Sequence, residues 1–202
     1  MEACGFFRAR MRTIALSLWI AAVSTSIVWT WYYKTTPGRA STPPQDWPTW
    51  VHVRHSGTTL LVALHPLCTC SEATISELAR LMASVQDQPP TVYALVYDYH
   101  PRSPIEGSSL WRRAAAIPGV IAMRDPQGEM ARSFGAETSG DVIAYSADGV
   151  LLFHGGLTAA RGHEGDSFGR QRLLAVLRGH TPDRRDSPVF GCNMNELAKG
   201  ST

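Results

Sequence analysis

The sequence predicts an α/β protein whose mainly parallel sheet is covered by helices and preceded by one transmembrane helix. Strand-like and helix-like segments alternate between residues 58 and 178, which is typical of βα units. The run from Thr13 to Tyr33 carries no charge and is long enough to cross a bilayer as a helix. A chain of 202 residues with 44% hydrophobic residues has room for one domain with a packed core.

Residues 13–33 are predicted to anchor the protein in the cell membrane as a single span. Basic residues precede the run, and only Lys34 follows it immediately. The basic residues before the run are Arg8, Arg10 and Arg12. This bias places residues 1–12 in the cytoplasm and the bulk of the chain on the extracytoplasmic, periplasmic side. A cleaved signal peptide is the alternative, but the apolar character continues through "IVWTWYY" and favours an uncleaved anchor.

Residues 34–50 are predicted to be a tether, because the prolines and small polar residues of "KTTPGRASTPPQDWPTW" oppose regular structure. The domain is expected over residues 51–180, and a C-terminal tail, residues 181–202, carries Cys192. The chain has 19 Lys plus Arg and 17 Asp plus Glu, and the whole excess lies before the anchor. The exported part is therefore neutral, and no nucleic-acid partner is expected.

The domain shows two rounds of strand and helix patterns. In the first, Thr58 to Leu64 is a continuous apolar strand, Ser71 to Met82 is a helix with one apolar face, and Thr91 to Tyr97 is a strand. The second round comprises a helix from Ser108 to Ile117, a strand from Val120 to Met123 and a helix from Gly128 to Phe134. A hairpin turning at residues 147–149 and a last helix from Ser167 to Arg178 complete the pattern.

Two cysteines, Cys68 and Cys70, lie one residue apart where the first strand meets its helix. Cys4 is expected in the cytoplasm, so these two and Cys192 would lie where disulfides can persist. Three is an odd number, so at least one thiol is free, bound to metal or paired with a partner.

A strand that runs into a cysteine pair at a helix start, followed by βα units, "DPQGEMARSFG", a hairpin and a last helix, resembles the thioredoxin superfamily. The resemblance covers residues 58–178 and is nearest to membrane-tethered, extracytoplasmic members. The segments "HPLCTCS", "TSG", "ARGHEG" and "VFGC" are similar to the RedB-like subgroup. The resemblance to the superfamily implies a central mixed sheet, thiol–disulfide exchange without a cofactor, and Cys68 as the more exposed cysteine of the pair.

The chain departs from the superfamily pattern at two places. Its cysteines are spaced Cys-x-Cys rather than Cys-x-x-Cys, and Ser139 and Gly140 stand where the family has a cis-proline that faces the cysteines. In the family this proline positions the substrate backbone and keeps metal off the cysteines. Both departures put ordinary thioredoxin activity in doubt.

The spacing of Thr69 and Glu72 predicts a capping box, with Cys70 in the first helical turn and Cys68 just before it. A thiol at a helix N-terminus is partly ionised, because unpaired N–H groups and the helix dipole favour the anion. A Cys-x-Cys disulfide would be strained and easily reduced. The same spacing also lets both sulfurs face one metal ion, with His65 as a nitrogen ligand.

The resemblance also implies that the turn after the last hairpin strand lies beside the cysteines. In this chain that turn holds Arg161, which can lower a thiol pKa, and His163, which can act as a base or a metal ligand. A polar Gly-rich loop with only a salt bridge is the structural alternative. Cys192 could fold back as a resolving thiol or a soft ligand, or be an unpaired tail thiol.

Three functions follow from these residues. The leading hypothesis is thiol–disulfide exchange on exported proteins, in which Cys68 or Cys70 attacks, the other cysteine or Cys192 resolves the mixed disulfide, and the side chains of Arg161 and His163 stabilise the thiolate. The second is a copper or zinc carrier for a metalloprotein client. Its ligands would be drawn from Cys68, Cys70, His65, His163 and Cys192. The third is a non-catalytic thioredoxin-like scaffold.

Overall fold

A computed structural model describes residues 2–51, 53–55, 57–99 and 104–194. The chain divides into two compact units, residues 1–36 and 37–202. The first unit contains helix α1, Glu2–Thr35. Within it, Arg10–Thr35 has a mean hydropathy of 1.6 and none of it is buried inside the protein. This stretch includes the predicted anchor, and it is long and apolar enough to cross a membrane.

The second unit is built around one mixed sheet. Among the described residues six strands form this sheet, in the order β3-β2-β1-β4-β5-β6. The strands are β1 Thr59–Leu64, β2 Thr91–Asp98, β3 Val120–Pro126, β4 Asp141–Tyr145, β5 Leu151–Gly156 and β6 Asp186–Ser187. Strands β1, β2 and β3 are parallel, whereas β4 pairs antiparallel with β1, and β5 pairs antiparallel with β4.

Four helices connect the described strands of this unit, with a short 3₁₀ turn, Ile105–Gly107, before the second of them. They are α2 Thr69–Ala83, α3 Ser109–Ala115, α4 Glu129–Ser133 and α5 Phe168–Leu177. The predicted strands, helices and hairpin are all present, with ends shifted by no more than three residues. The expectation of an α/β domain with a central mixed sheet is confirmed.

Strand β1 is buried on both faces, which explains why its sequence is apolar without alternation. Side chains of a strand point alternately to opposite faces, so β1 contributes to two cores. Leu60, Val62 and Leu64 pack in the cluster that contains the apolar face of α2. Leu61 and Ala63 pack on the other side, in a cluster rich in aromatic rings. The chain that leaves β1 therefore starts from a fixed position.

The segment predicted as a tether packs on the domain over most of its length. The backbone N–H groups of Gly38, Thr42 and Trp47 donate to carbonyl oxygens of the domain at 2.8, 3.2 and 2.7 Å. The Trp47 ring also stacks on His55, with ring centroids 4.4 Å apart. Prolines exclude helix and sheet ladders but leave the extended chain free to pair with a surface. Residues 37–48 are therefore part of the folded unit.

The C-terminal segment, predicted as a tail, also joins the domain. Strand β6 pairs with β5, where a Cβ atom on Gly155 would lie 2.2 Å from the Ser187 carbonyl oxygen. Further along, Asn193 forms an antiparallel bridge with Thr138. Residues 195–202 of the predicted tail lie outside the described residues. The segment from residue 186 to residue 194 thus crosses the same end of the sheet that holds the cysteines.

Asp141, at the start of β4, is a fully buried carboxyl group. The Ser41 hydroxyl donates to its Oδ1 at 3.3 Å and lies 3.1 Å from His154 Nδ1, whereas Oδ2 has no hydrogen-bond partner within the described part of the chain. Burial raises the pKa of Asp141 to about 7 and lowers the pKa of His154. Asp141 is therefore mainly protonated in the folded protein below neutral pH.

Replacing Asp141 by asparagine is expected to stabilise the protein at alkaline pH. The folded-state pKa is raised, so the folded protein keeps a proton that the unfolded chain releases above its ordinary pKa of 3.8. The wild type therefore loses on the order of 1.4 kcal/mol of unfolding free energy per pH unit between about pH 4 and 7. Asp141→Asn should raise the melting temperature of the full-length protein in detergent at pH 8, with a smaller gain at pH 5.

The control for this measurement is Asp148→Asn, at an exposed position in the hairpin turn. Its melting temperature should follow the wild type at both pH values. An Asp141→Asn variant that is equally shifted at pH 5 and pH 8 would contradict a titrating buried carboxyl.

Candidate active site

Cys68 occupies the N-cap position of α2, four residues after β1 ends. The loop between them is held tightly, because the Cys68 N–H donates to the His65 carbonyl at 3.1 Å and the His65 N–H donates to Ser71 Oγ at 2.9 Å. The Cys68 sulfur thus lies at the end of the helix where unpaired N–H groups favour negative charge. The predicted capping box is wrong, since no side chain caps α2, and Glu72 pairs instead with Arg113.

The Cys68 sulfur has hydrogen-bond contacts with two other side chains. The Cys192 sulfur lies 3.2 Å from it, and the Ser139 hydroxyl donates to it at 3.2 Å. The hydrogen bonds from Cys192 and Cys70, with a smaller one from Ser139, lower the pKa of Cys68 far below its usual range, against the opposing effect of burial. Cys68 is therefore the thiol of this cluster that loses its proton most readily.

The pKa values of the two neighbouring thiols, Cys70 and Cys192, are shifted in the opposite direction. Their hydrogen bonds to Cys68 and their burial raise the pKa values of Cys70 and Cys192 above the ordinary range. A backbone N–H of Gly162 and the charge of Arg161 partly oppose this rise for Cys70. Cys70 and Cys192 therefore hold their protons more tightly than Cys68.

Cys192 differs from Cys68 and Cys70 in its exposure to solvent. The resemblance implies that Cys68 is the more exposed of the Cys-x-Cys pair, but Cys68 and Cys70 are both only 3% exposed. Cys192 is partly exposed. The difference arises because the C-terminal segment lies over the start of α2 and covers Cys68. The implied exposure of Cys68 is therefore wrong for this chain, and Cys192 is the partly exposed cysteine of the three.

Ser139 holds the C-terminal segment against the loop before β4. Its N–H donates to the Cys192 carbonyl at 2.9 Å, and its hydroxyl accepts from the Cys192 N–H at 3.0 Å. The Met194 N–H donates to the Glu137 carbonyl at 2.9 Å. The same hydroxyl donates to Cys68, so Ser139 contacts both cysteines. Ser139 is absent from the predicted site residues because a lone serine in "TSG" gives no catalytic signal.

The close approach of this segment depends on Gly191. A Cβ atom there would lie 1.8 Å from the Ser139 carbonyl oxygen, far inside any contact distance. The Arg161 guanidinium donates to the Gly191 carbonyl oxygen, which holds the segment from the other side. The predicted loop is thus beside the cysteines. Arg161 reaches the backbone of the segment, and its charge lowers the pKa of Cys192 against the larger rise described above.

His163 is in the same loop but is exposed. Among the hydrogen bonds of the described residues, none joins its ring to a cysteine, so its predicted action on the thiolate stays a prediction. The loop is fixed instead by Glu77, a fully buried carboxylate of α2 that accepts from the Gly165 N–H at 2.6 Å. Glu77 also pairs with Arg170 of α5 at 3.0 Å. This pairing balances the charge that α2 buries.

His65 is buried with both ring nitrogens engaged. Its Nδ1 accepts from the Leu67 N–H at 3.2 Å, so Nε2 carries the proton and donates to the Tyr99 hydroxyl. Burial lowers the pKa of His65, although the Cys68 charge opposes this shift. Both ring nitrogens are thus used in hydrogen bonds within the protein. Within the described residues no group of three or more His, Cys, Asp or Glu side chains is placed to hold a metal.

The strand order and the place of Cys68 decide the fold. Strands β1, β2 and β3 run parallel, β4 and β5 add an antiparallel hairpin beside β1, and the helix after β1 begins at a cysteine. The fold is thioredoxin-like. In this thioredoxin-like domain Ser139 occupies the loop before β4, facing the cysteine at the helix start. The RedB-like subgroup stays a prediction.

Solved structures share this thioredoxin-like fold at low sequence identity. A hypothetical protein from Sinorhizobium meliloti has 20% identity and a TM-score of 0.55 over 79% of this chain and 94% of that chain. An uncharacterized conserved protein from Geobacillus kaustophilus has 17% identity and a TM-score of 0.55 over 79% and 92%. A putative thioredoxin from Neisseria meningitidis is a weaker match, with 16% identity and a TM-score of 0.45 over 75% and 94%. No family model and no curated protein matches the chain.

The Cys68 thiolate is expected to titrate well below the usual thiol range of about 8.5. Thiolate absorbance at 240 nm, measured against pH in the full-length Cys4→Ser protein, should show a low midpoint that disappears in Cys68→Ala. Ser139→Ala removes one hydrogen bond to a charged acceptor, worth about 1.5–3 kcal/mol. That loss should raise the midpoint by roughly 1–2 pH units.

Ser84→Ala, at an exposed serine beyond the end of α2, is the matched control and should leave the midpoint in place. Circular dichroism would confirm that both serine variants fold. A midpoint that does not move in Ser139→Ala would show that the hydroxyl does not stabilise the thiolate.

Proposed function

We propose that this membrane-attached, thioredoxin-like protein exchanges thiols and disulfides with exported proteins, and that Cys68 and Cys192 are the pair that cycles. One observation carries the proposal: the Cys68 sulfur, at the N-cap of α2, lies within hydrogen-bond distance of the Cys192 sulfur, at 3.2 Å. A thiolate next to a partner thiol is the arrangement that disulfide exchange requires.

The chemistry between the two cysteines is a two-electron step. Oxidation of the pair forms a Cys68–Cys192 disulfide and removes the proton of Cys192. Reduction returns the thiolate to Cys68 and the proton to Cys192. Because hydrogen bonds and the helix N-terminus stabilise the reduced form, they make the disulfide a stronger oxidant. We therefore propose that the protein passes its disulfide to client thiols.

Cys70 supports this cycle as a donor. It is buried one residue away from Cys68 along the chain, and its interaction with Cys68 lowers the pKa of Cys68. A bond between these two cysteines would close a very small ring at the cost of strain. Cys192 needs no such strain, because it reaches Cys68 from a separate segment of the domain.

The proposed location rests on α1 and its flanking charges. The helix is long and apolar enough to span a membrane, and the arginines before it favour a cytoplasmic N-terminus. The domain would then lie on the extracytoplasmic side, where client thiols meet an oxidising environment.

The proposal is tested with the full-length protein in detergent, in a Cys4→Ser background. After treatment with glutathione disulfide, mass spectrometry should find a Cys68–Cys192 bond. The oxidised protein should then oxidise a reduced two-cysteine peptide. Cys68→Ser and Cys192→Ser should each lower this rate at least 100-fold, since neither can form the bond. Cys70→Ser loses one donor and should lower it about tenfold or less.

Two results would overturn the proposal. One is a Cys68–Cys70 bond as the main product of oxidation. The other is copper or zinc bound in equal amount to the reduced protein and lost in Cys68→Ser, which would support the carrier for a metalloprotein client. Mass spectrometry of the oxidised protein detects the first result, and elemental analysis of the reduced protein detects the second.

A further inference from the structure

We infer that Cys192, and not Cys68 or Cys70, is the sulfur that client thiolates attack, so that the mixed disulfide forms on Cys192 and the Cys68 thiolate leaves. This inference rests on the proposed function and deepens it. It assigns to a cysteine near the C-terminus the contact with the client, and to the cysteine at the helix start the part of the leaving group.

Access to the disulfide favours Cys192. Cys68 is 3% exposed, enclosed by the start of α2, the Ser139 hydroxyl and the Cys70 thiol. A thiolate attacks a disulfide sulfur from the side opposite the leaving sulfur, and around Cys68 that space is occupied by protein. Cys192 is partly exposed, so an external thiolate can reach its sulfur.

The leaving group also favours attack on Cys192. Attack at this sulfur expels Cys68, whose negative charge is stabilised by Ser139, Cys70 and the N-terminus of α2. Attack at Cys68 would instead expel Cys192, whose charge lacks these three stabilising groups. Exchange is faster when the departing sulfur is the more stable thiolate. Access and leaving-group stability therefore select the same sulfur.

The surroundings of Cys192 suit a thiolate from outside. The Arg161 guanidinium donates to the neighbouring Gly191 carbonyl oxygen, and its positive charge partly opposes the rise in the pKa of Cys192. The C-terminal segment already pairs with the backbone of Glu137 and Ser139. Because this backbone is already paired, a client does not need to bind there as an added strand. We therefore expect the site to accept client thiols of varied sequence.

The proposed thiol–disulfide exchange takes place in two steps. A client thiolate attacks Cys192 of the Cys68–Cys192 disulfide, which forms a client–Cys192 disulfide and releases Cys68 as a thiolate. A second client thiolate then attacks the client sulfur of this mixed disulfide. It forms the client disulfide and releases Cys192, which takes up a proton. The client is oxidised by two electrons and the protein is reduced by two.

The inference is tested by mapping the first adduct. The oxidised full-length Cys4→Ser protein is mixed briefly with glutathione, quenched with acid and digested for mass spectrometry. At least ten times more glutathione is expected on Cys192 than on Cys68 and Cys70 together. The same experiment in Cys4→Ser, Cys70→Ser shows whether adducts migrate to the third thiol. Glutathione mainly on Cys68 in both proteins would overturn the inference.

A second variant tests why Cys192 is selected. Gly191→Ala places a Cβ atom where the Ser139 carbonyl lies, so the segment must move away and uncover Cys68. The share of glutathione on Cys68 should rise at least fivefold. Gly107→Ala is the matched control, because its added Cβ meets open space. A Gly191→Ala adduct distribution equal to that of the control would overturn the role of the segment.

The two proposals fail in different ways. If the oxidised protein oxidises the peptide but carries glutathione on Cys68, the inference fails and the proposed function stands. If the Cys68–Cys192 bond never forms, or no thiol reduces it, the proposed function fails as well.

Discussion

The hydrogen bonds of Ser139 join parts of the molecule that are far apart in the sequence. Its backbone and hydroxyl bind the Cys192 backbone, and the same hydroxyl reaches the Cys68 sulfur. Ser139 is itself fixed to the sheet, because the next residue, Gly140, donates from its N–H to the Ala63 carbonyl at 2.7 Å. The geometry of the thiols thus depends on the rigid pairing of β1 with β4 rather than on a mobile loop.

The three thiols act as one electrostatic unit. The pKa of Cys68 is lowered and the pKa values of Cys70 and Cys192 are raised because the three sulfurs interact with one another. Protons in such a cluster belong to the group as a whole, so changing one thiol alters the titration of the others. The departure from Cys-x-x-Cys spacing is consistent with this arrangement, since the partner of Cys68 need not come from the same helix.

Local patterns were enough to predict the framework, whereas contacts between distant residues were not predictable. Apolar runs and helix periodicity identified β1, α2 and β2, because those signals are carried by neighbouring residues. The capping box failed because Cys68 itself takes the N-cap position and Glu72 binds Arg113. The packing of residues 37–48 leaves no periodic trace, since it depends on a surface formed by the folded domain. The approach of Cys192 to Cys68 was one of the alternatives that the sequence left open, and only the folded domain selects it.

The separation of the cysteines along the chain has a consequence for biosynthesis. Cys68 and Cys192 are 124 residues apart, which at ribosomal rates of about 5–20 residues per second is roughly 6–25 s of synthesis. During that interval a newly synthesised Cys68 has Cys70 beside it but not yet Cys192. The strands that carry Ser139 and position the C-terminal segment must fold before the thiolate is enclosed. Protection of Cys68 from oxidants would therefore indicate that the domain has folded completely.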